Sequence, residues 1–391
     1  MPKSHLDFYN KHGISPVHYM AANEQEHFER RASLYRSLGL PPLAFRGARV
    51  LEVAVGSGQN SLYVASLMPA SLTLVEPNST GIREIRDLYA KTAVSHTAPI
   101  LVESTLQDYA PSNQFDIVIC ENWLGRAPHE RLLMRKLAGF LANQGMMVVT
   151  TLTPTGFLPN LIRRAISVKY CDPRLSFAAR TAQLVSMFAP HLASMSAMTR
   201  SATDWVQDNM LNPAYFDLCL TIPDVLRELD DVVAALGVNP SFASDWRWFK
   251  ALHGEARDFN WHMNREYEAA LHNFVDYQLE FFQPDIQLNR EIETSCIEFL
   301  EAVRIYEKAV LVRKNPDEKL AKLIAILRTI ILQVHTFPDP VRLGLEAGLQ
   351  LLLGDCDDYL QVARNSPFSR LFGRETVYLS LIADAAIEPH C

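Results

Sequence analysis

The sequence predicts an α/β fold: an open, mostly parallel sheet with helices on its faces. A large helical part, either an insertion or a C-terminal domain, accompanies it. Three observations predict this. Residues 50–53 form a short apolar run that breaks into a Gly-x-Gly turn at Gly56 and Gly58, and a helical pattern starts near Asn60. Further β-rich runs at 71–76, 99–103, 115–121 and 145–151 follow at the spacing of strands joined by crossovers. Beyond Asp285 the pattern changes to long amphipathic helices.

Taken in order, residues 1–45 read as an N-terminal helical cap. Residues 24–38 place Phe28, Ala32, Tyr35 and Leu38 on one helix face, and Gly39 followed by two prolines ends that helix. Residues 46–240 hold the sheet. Its first strand is interrupted by Glu52, and its second ends in a carboxylate, Glu76, followed by Pro77. Leucines at helical spacing over 130–141 make a crossover helix. Residues 153–159 carry three breakers in seven positions and are expected to be a loop leaving the sheet on the substrate side. Ser201 or Thr203 caps a short helix running to Leu211, and Thr221 caps another with Pro223 in its first turn. Residues 241–391 read as a mainly helical domain. Within it Ile292, Cys296, Phe299, Val303 and Tyr306 face a second stripe at Leu320, Leu323, Leu327 and Ile331, an antiparallel pair.

The turn after the first strand has a chemistry of its own. Glycine is needed where backbone approaches a ligand closely or takes φ > 0. A helix starting right after such a turn aims unpaired N–H groups at whatever lies in the loop. Open α/β sheets hold ligands at these carboxyl ends. A dinucleotide fingerprint would need a third glycine where Ser61 stands, and the Gly-Lys-Ser/Thr of a phosphate loop is absent. Glu76 lies 18 residues past Gly58, close to the roughly 20-residue offset at which an acid grips ribose hydroxyls.

Together these residues resemble motif I of the class I S-adenosylmethionine-dependent methyltransferases, E-x-G-x-G-x-G. Glu52 stands at the acid, Ala54 at the first glycine, and Gly56 and Gly58 follow. Phe115-Asp-Ile-Val resembles the fourth strand of that family, and Gly145 before an apolar run resembles the fifth. The resemblance is specific over residues 46–151. It implies a Rossmann-like sheet of seven strands, mostly parallel with the last antiparallel, a role residues 376–382 are expected to fill. It also implies S-adenosyl-L-methionine as cofactor, bound by Glu52, Ala54, Gly56, Gly58, Asn60, Glu76, Pro77, Ser104 and Asn122. The place of the adenine-binding acid stays open between Ser104, Glu103 and Asp108. An N-terminal segment often covers the cofactor in such proteins, which puts Tyr9, His18, Arg30 and Arg31 within reach of its carboxylate or of the substrate.

Methyl transfer from a sulfonium is an in-line displacement that needs alignment, exclusion of water and sometimes removal of a proton. Glu121, Asn122 and Trp123 end the fourth strand, beside the expected methyl position. Glu121 reads as a general base or as an orienting group, with a purely structural role as the rival. His262 and His129 are the alternative bases. Asp204, Asp208 and Asn209, with Tyr215 nearby, are the polar substrate candidates; Trp261 leads the aromatic ones, ahead of Trp205, Trp246 and Trp248. The Asp/Asn-Pro-Pro-Tyr/Phe signature of base and glutamine N-methylation is absent. The expected function is methyl transfer to O or N of a small-molecule or sugar-containing biosynthetic intermediate. A non-catalytic cofactor-binding or scaffold protein, and less so a nicotinamide oxidoreductase, are the alternatives.

Composition narrows the classes further. The 391 residues are 48% hydrophobic and 21% charged, enough for a native core and unlike a disordered chain. A net charge of −7 disfavours binding along a nucleic-acid backbone; Arg163, Arg164 and Lys169 are the nearest thing to a basic patch. Six scattered cysteines without a Cys-x-x-Cys, and no histidine at zinc spacing, predict no metal site and a reducing, cytoplasmic compartment. No positively charged start with an apolar stretch is seen, so no signal peptide is expected. The apolar stretch at 320–334 is broken by Lys322, Arg328 and Gln333, so no membrane span is expected. The resemblance implies a small molecule or saccharide as the partner, and the oligomeric state stays open, a homodimer included.

Overall fold

A computed structural model describes residues 5–15, 24–93, 95–124, 130–196, 198–214, 219–354, 360–364 and 366–383. Among them the strands are β1 (Arg49–Val53), β2 (Ser71–Val75), β3 (Ile100–Val102), β4 (Phe115–Cys120), β5 (Leu141–Leu152), β6 (Val233–Asn239) and β7 (Thr376–Ala383). They form one sheet in the order β3-β2-β1-β4-β5-β7-β6. β1 to β5 pair in parallel, in a register that sets Glu52 beside Leu74 of β2 and Ile119 of β4. β7 returns antiparallel to both β5 and β6, as residues 376–382 predict. The order reverses between β1 and β4, which makes their carboxyl ends the switch point where such sheets open a crevice.

Contacts divide the chain into two units. The sheet unit comprises Met1–Leu152, Leu218–Tyr267 and Thr376–Cys391; the helical unit comprises Thr153–Asp217 and Glu268–Glu375. The helical part is therefore inserted in two pieces, and the expected boundary at residue 240 falls inside the sheet unit.

In the sheet unit, parallel strands buried on both faces explain the near-continuous apolar runs of the sequence. Val50, Leu72, Leu74, Ile117, Ile119 and Val148 build one core layer. Helix α1 (Glu24–Ser37) and helix α2 (Gln59–Ser66) cover it. Tyr35 of α1 stacks on Tyr63 of α2 at 5.9 Å and meets Phe45 edge-on at 4.9 Å. Helix α3 (Ser79–Lys91) follows β2 and is capped by Asn78, whose side chain accepts from the Thr80 N–H. β6 has no counterpart among the predicted strands. Its run carries a glycine mid-strand, Gly237, where an added Cβ would lie 3.0 Å from the Leu38 backbone. The strand thus depends on a contact made across some two hundred residues.

In the helical unit, the expected loop at 153–159 is instead the start of a helix, α4 (Pro154–Tyr170). The breakers have other reasons for being there. Thr153 is the N-cap and Pro154 occupies the first helical position, where a missing N–H costs nothing. Gly156 lies against the Arg374 carbonyl, which a Cβ would meet at 2.2 Å. Ser201 caps residues 202–206, and a π-helical turn, Gln207–Leu211, carries the chain to Asn212. Ile286–Val312 and Pro316–Gln333 pack against each other through the predicted stripes. No described helix is long and apolar enough to cross a membrane.

Candidate cofactor site

The turn after β1 is built from residues with left-handed backbone: φ is 60° at Ala54, 58° at Gly56 and 77° at Gly58. Ala54 takes a conformation that costs an L residue roughly 1–2 kcal/mol, so the departure from the glycine pattern is one of strain as well as of size. Gly58 is the N-cap of α2 and contributes no side chain to its first N–H groups. A Cβ there would lie 2.8 Å from Ile85 of α3, so the turn and that helix are in direct contact. Gly81, in the first turn of α3, completes the cradle: its Cβ would fall 2.7 Å from the Gly56 carbonyl oxygen.

Glu76 ends β2 and reaches into this turn. Its Oε2 accepts from the Gly56 N–H at 2.9 Å and its Oε1 from the Asn78 N–H at 2.8 Å. Each oxygen keeps a further lone pair, so two ribose hydroxyls can still be bound. Burial pushes the carboxyl up to about 7 against the pull of those two N–H bonds. Pro77 follows, and Asn78 donates to the Ile14 carbonyl at 3.1 Å, which brings the segment bearing Tyr9 to the end of β2. Ser104 stands two residues past β3, half-buried, its hydroxyl donating to the Thr105 carbonyl at 3.0 Å. Glu103 and Asp108 beside it are exposed.

The end of β4 carries a buried charge network. Arg31 of α1 forks onto Glu121, Nη1 to Oε2 at 2.8 Å and Nη2 to Oε1 at 2.6 Å. Tyr35 donates to Glu121 Oε1 at 3.2 Å and Asn60 approaches Oε2 at 3.5 Å. With both oxygens engaged, Glu121 anchors α1 to the sheet, which favours its structural reading over that of a base. Asn122 follows in left-handed backbone, its N–H on the Thr150 hydroxyl at 2.7 Å. Glu52 of β1 is buried on the same face. Burial and the neighbouring Glu121 push its carboxyl up to about 7, while Ser61 and Arg31 act the other way.

Arg30 pairs with Glu26 on the outer side of α1, so of the two neighbouring arginines only Arg31 turns to the site. The partnership of Arg31 with Glu121, 90 residues on, has no local signal. Gly81 has one: a glycine in the first helical turn after the acid that ends β2. His27, one turn before Arg31, was also missed; its Nε2 lies 3.1 Å from the Gln59 carbonyl, and burial lowers its pKa.

His262 and Trp261 do not join this group. Helix α5 (Phe259–Ala270) is tied to the amino end of β6, where Asn260 bonds the Ala235 N–H and the Val233 carbonyl. β6 is three strand spacings from β4, roughly 14 Å, and the turns that bear Gly56, Glu76 and Glu121 lie at the opposite, carboxyl ends. His262, the alternative base, and Trp261 follow Asn260 directly, at the amino end of β6. Trp261 is half exposed, and Trp246 and Trp248 more so. Asp204, Asp208 and Asn209 belong to the helical unit. Asp208 is paired with Arg200, and the Asn209 amide donates to the Trp205 carbonyl at 3.1 Å. His18, His129 and Tyr215 lie outside the described residues.

A family profile described as a methyltransferase domain matches residues 50–145, the span that holds the turn, Glu76 and β4. No curated protein matches the chain. Solved structures do, over about a third of it. The magnesium protoporphyrin IX methyltransferase of Synechocystis, with bound S-adenosylmethionine, is 15% identical, covering 33% of this chain and 58% of its own, at a TM-score of 0.28. The N-methyltransferase NodS of Bradyrhizobium japonicum, in complex with S-adenosyl-L-homocysteine, is 16% identical over 32% and 61%, with a TM-score of 0.26. The CcbJ methyltransferase of Streptomyces caelestis is 18% identical over 40% and 58%, with a TM-score of 0.28. The chain thus spans about three fifths of the length of these proteins. Residues 50–145, about a quarter of the chain, thus match a methyltransferase domain, on a Rossmann-like α/β sheet that bears the strained turn and the acid ending β2.

Proposed function

We propose that the protein transfers the methyl group of S-adenosylmethionine to an O or N of a small-molecule or sugar-containing biosynthetic intermediate. When bound, the cofactor supplies an electrophilic methyl on a sulfonium. What the chain contributes is position. The turn from Ala54 to Gly58 approaches the ligand with backbone, Glu76 holds ribose hydroxyls, and the end of β4 with Asn122 borders the methyl. The observation that carries this reading is the Glu76 carboxylate, buried in the strained turn with lone pairs to spare. The commitment of Glu121 to Arg31 favours an acceptor that is nucleophilic without an enzyme base, such as a free amine. The same commitment is what a cofactor-binding protein without transferase activity would show, and that is the second reading.

Calorimetry with S-adenosylhomocysteine tests the site. Wild-type protein is expected to bind it, and Glu76→Ala to bind about tenfold to a hundredfold more weakly, from the roughly 1.5–3 kcal/mol of a charged hydrogen bond. Circular dichroism should stay unchanged. Equal affinity in the variant would remove Glu76 from the ribose. Methyl transfer from labelled cofactor to amine and sugar acceptors, read by mass spectrometry, separates the enzyme from the binding protein.

A further inference from the structure

The acids at the switch point outnumber the bases. Glu121 is neutralised by Arg31. Glu52 is left over: it is 3% exposed, and its Oε2 has no hydrogen-bond partner among the described residues. Among the described residues, the groups that face it from each packed element do not supply a second cation. Glu121 comes from the end of β4, Arg31 and Tyr35 from α1, Ser61 from α2 and Tyr89 from α3. Burial keeps both tyrosines in the neutral phenol form. His27, beside Arg31, is kept neutral by burial as well. An uncompensated buried charge is expensive, and a group in that position carries a proton unless a counter-charge arrives.

We propose that Glu52 makes this chain prefer the sulfonium cofactor to its neutral thioether product, by giving up a proton to solvent when the positive centre enters the crevice between β1 and β4. The inference rests on the cofactor assignment above. The balance is simple: the carboxylic acid becomes a carboxylate and one proton leaves to buffer, with no bond to the ligand made or broken. The free chain holds that proton up to about pH 7. Glu76 titrates in the same range, but it faces the ribose, which is the same in S-adenosylmethionine and S-adenosylhomocysteine. The difference between the two ligands therefore isolates Glu52.

Calorimetry of both ligands at pH 6.5, in buffers of different ionisation enthalpy, counts the protons. Up to one more proton should be released with S-adenosylmethionine than with S-adenosylhomocysteine. The affinity ratio of the two should rise as pH climbs toward about 7 and level off above it. In Glu52→Gln the extra proton should vanish and the ratio fall about tenfold, the scale of one charge at several ångströms in a partly screened site, while S-adenosylhomocysteine still binds. Equal proton counts in the wild type, a measurement that needs no variant to fold, would overturn the proposal and leave the cofactor assignment intact. A wild type that binds neither ligand at any pH would overturn both.

Discussion

Two buried arginine clusters, one in each unit, show what a finished charge network looks like and what an unfinished one looks like. In the helical unit, Arg163 is fully buried and its fork is spent on carbonyls: Leu371 at 2.9 Å, Phe368 at 3.1 Å, Ser369 at 3.4 Å and Pro159 at 3.4 Å. Phe372 and Phe368 lie against the guanidinium at 3.7 and 4.7 Å. Arg164 beside it forks onto Glu307 and takes the carbonyls of Asn209 and Asn212, both at 2.9 Å. Donors and acceptors match, and such a cluster has only the fold to serve. In the sheet unit Arg31 satisfies Glu121, but Glu52 and the buried Glu76 remain over. Natural folds rarely leave buried carboxyls without a counter-charge unless something else is to occupy the place. The basic pair at Arg163 and Arg164, read from sequence as a thin surface patch, is interior scaffolding.

The largest expected effect separates the two clusters by readout. Arg31→Met should cost about 3–5 kcal/mol of stability, because it leaves a buried carboxylate unpaired, and Arg164→Met about 3 for the same reason at a partly exposed partner. Glu121→Gln added to Arg31→Met should recover most of the loss. Only the Arg31 variant should change S-adenosylhomocysteine affinity; the Arg164 variant should stay within about twofold. Urea unfolding and calorimetry decide it, and an Arg164→Met protein with impaired cofactor binding would erase the contrast.

Much of the sheet unit was legible because its signals are local. Gly56, Gly58 and Glu76 are each required by the turn they stand in, and the apolar runs of β1, β2, β4 and β5 are those of strands buried on both faces. What failed was set by distant chain. β6 needed Gly237 to admit Leu38, and without β6 the end of the sheet that bears His262 could not be placed. Gly156 read as a breaker until Arg374 stood next to it, although Thr153 and Pro154 already carried the signature of a helix start. The tie between Arg31 and Glu121 joins an N-terminal helix to the fourth strand, and no periodicity reports that.

Acid should move the two units in opposite directions. Glu52 and Glu76 hold their protons to about pH 7 in the fold, against 4.5 for an ordinary glutamate. Between those values the native state carries more protons than the unfolded chain, so the sheet unit loses stability as pH rises through that window, by at most roughly 3 kcal/mol per carboxyl. His191 of the helical unit is the reverse case. It donates from Nε2 to the Val362 carbonyl at 2.7 Å and accepts from Arg163 on Nδ1 at 3.2 Å. Burial and that cation push its pKa down to about 3, from 6.5. Below pH 6.5 the unfolded chain binds the extra proton, and the helical unit weakens as pH falls. Hydrogen exchange resolved by segment, at pH 5.5 and 7.5, should show protection of β1 and β2 greater at the lower pH. Protection of α4 should be greater at the higher. Shifts of the same sign in both units would break the comparison.

The smallest effect sharpens it at a single residue. Ala54 holds φ at 60° where glycine would be at ease, and strain kept at a ligand turn is tolerated when it shapes the binding surface. Ala54→Gly should therefore raise stability by about 1 kcal/mol, the left-handed cost of alanine less the extra chain entropy of glycine. If the strain serves binding, the same change should leave S-adenosylhomocysteine affinity unchanged or slightly weaker, since a looser turn must be ordered when the ligand arrives. Thermal unfolding in the presence and absence of ligand reads both quantities. A variant less stable than the parent would mean that the methyl of Ala54 packs well enough to offset its backbone, and the turn would then resemble the saturated cluster of the helical unit more than an open site.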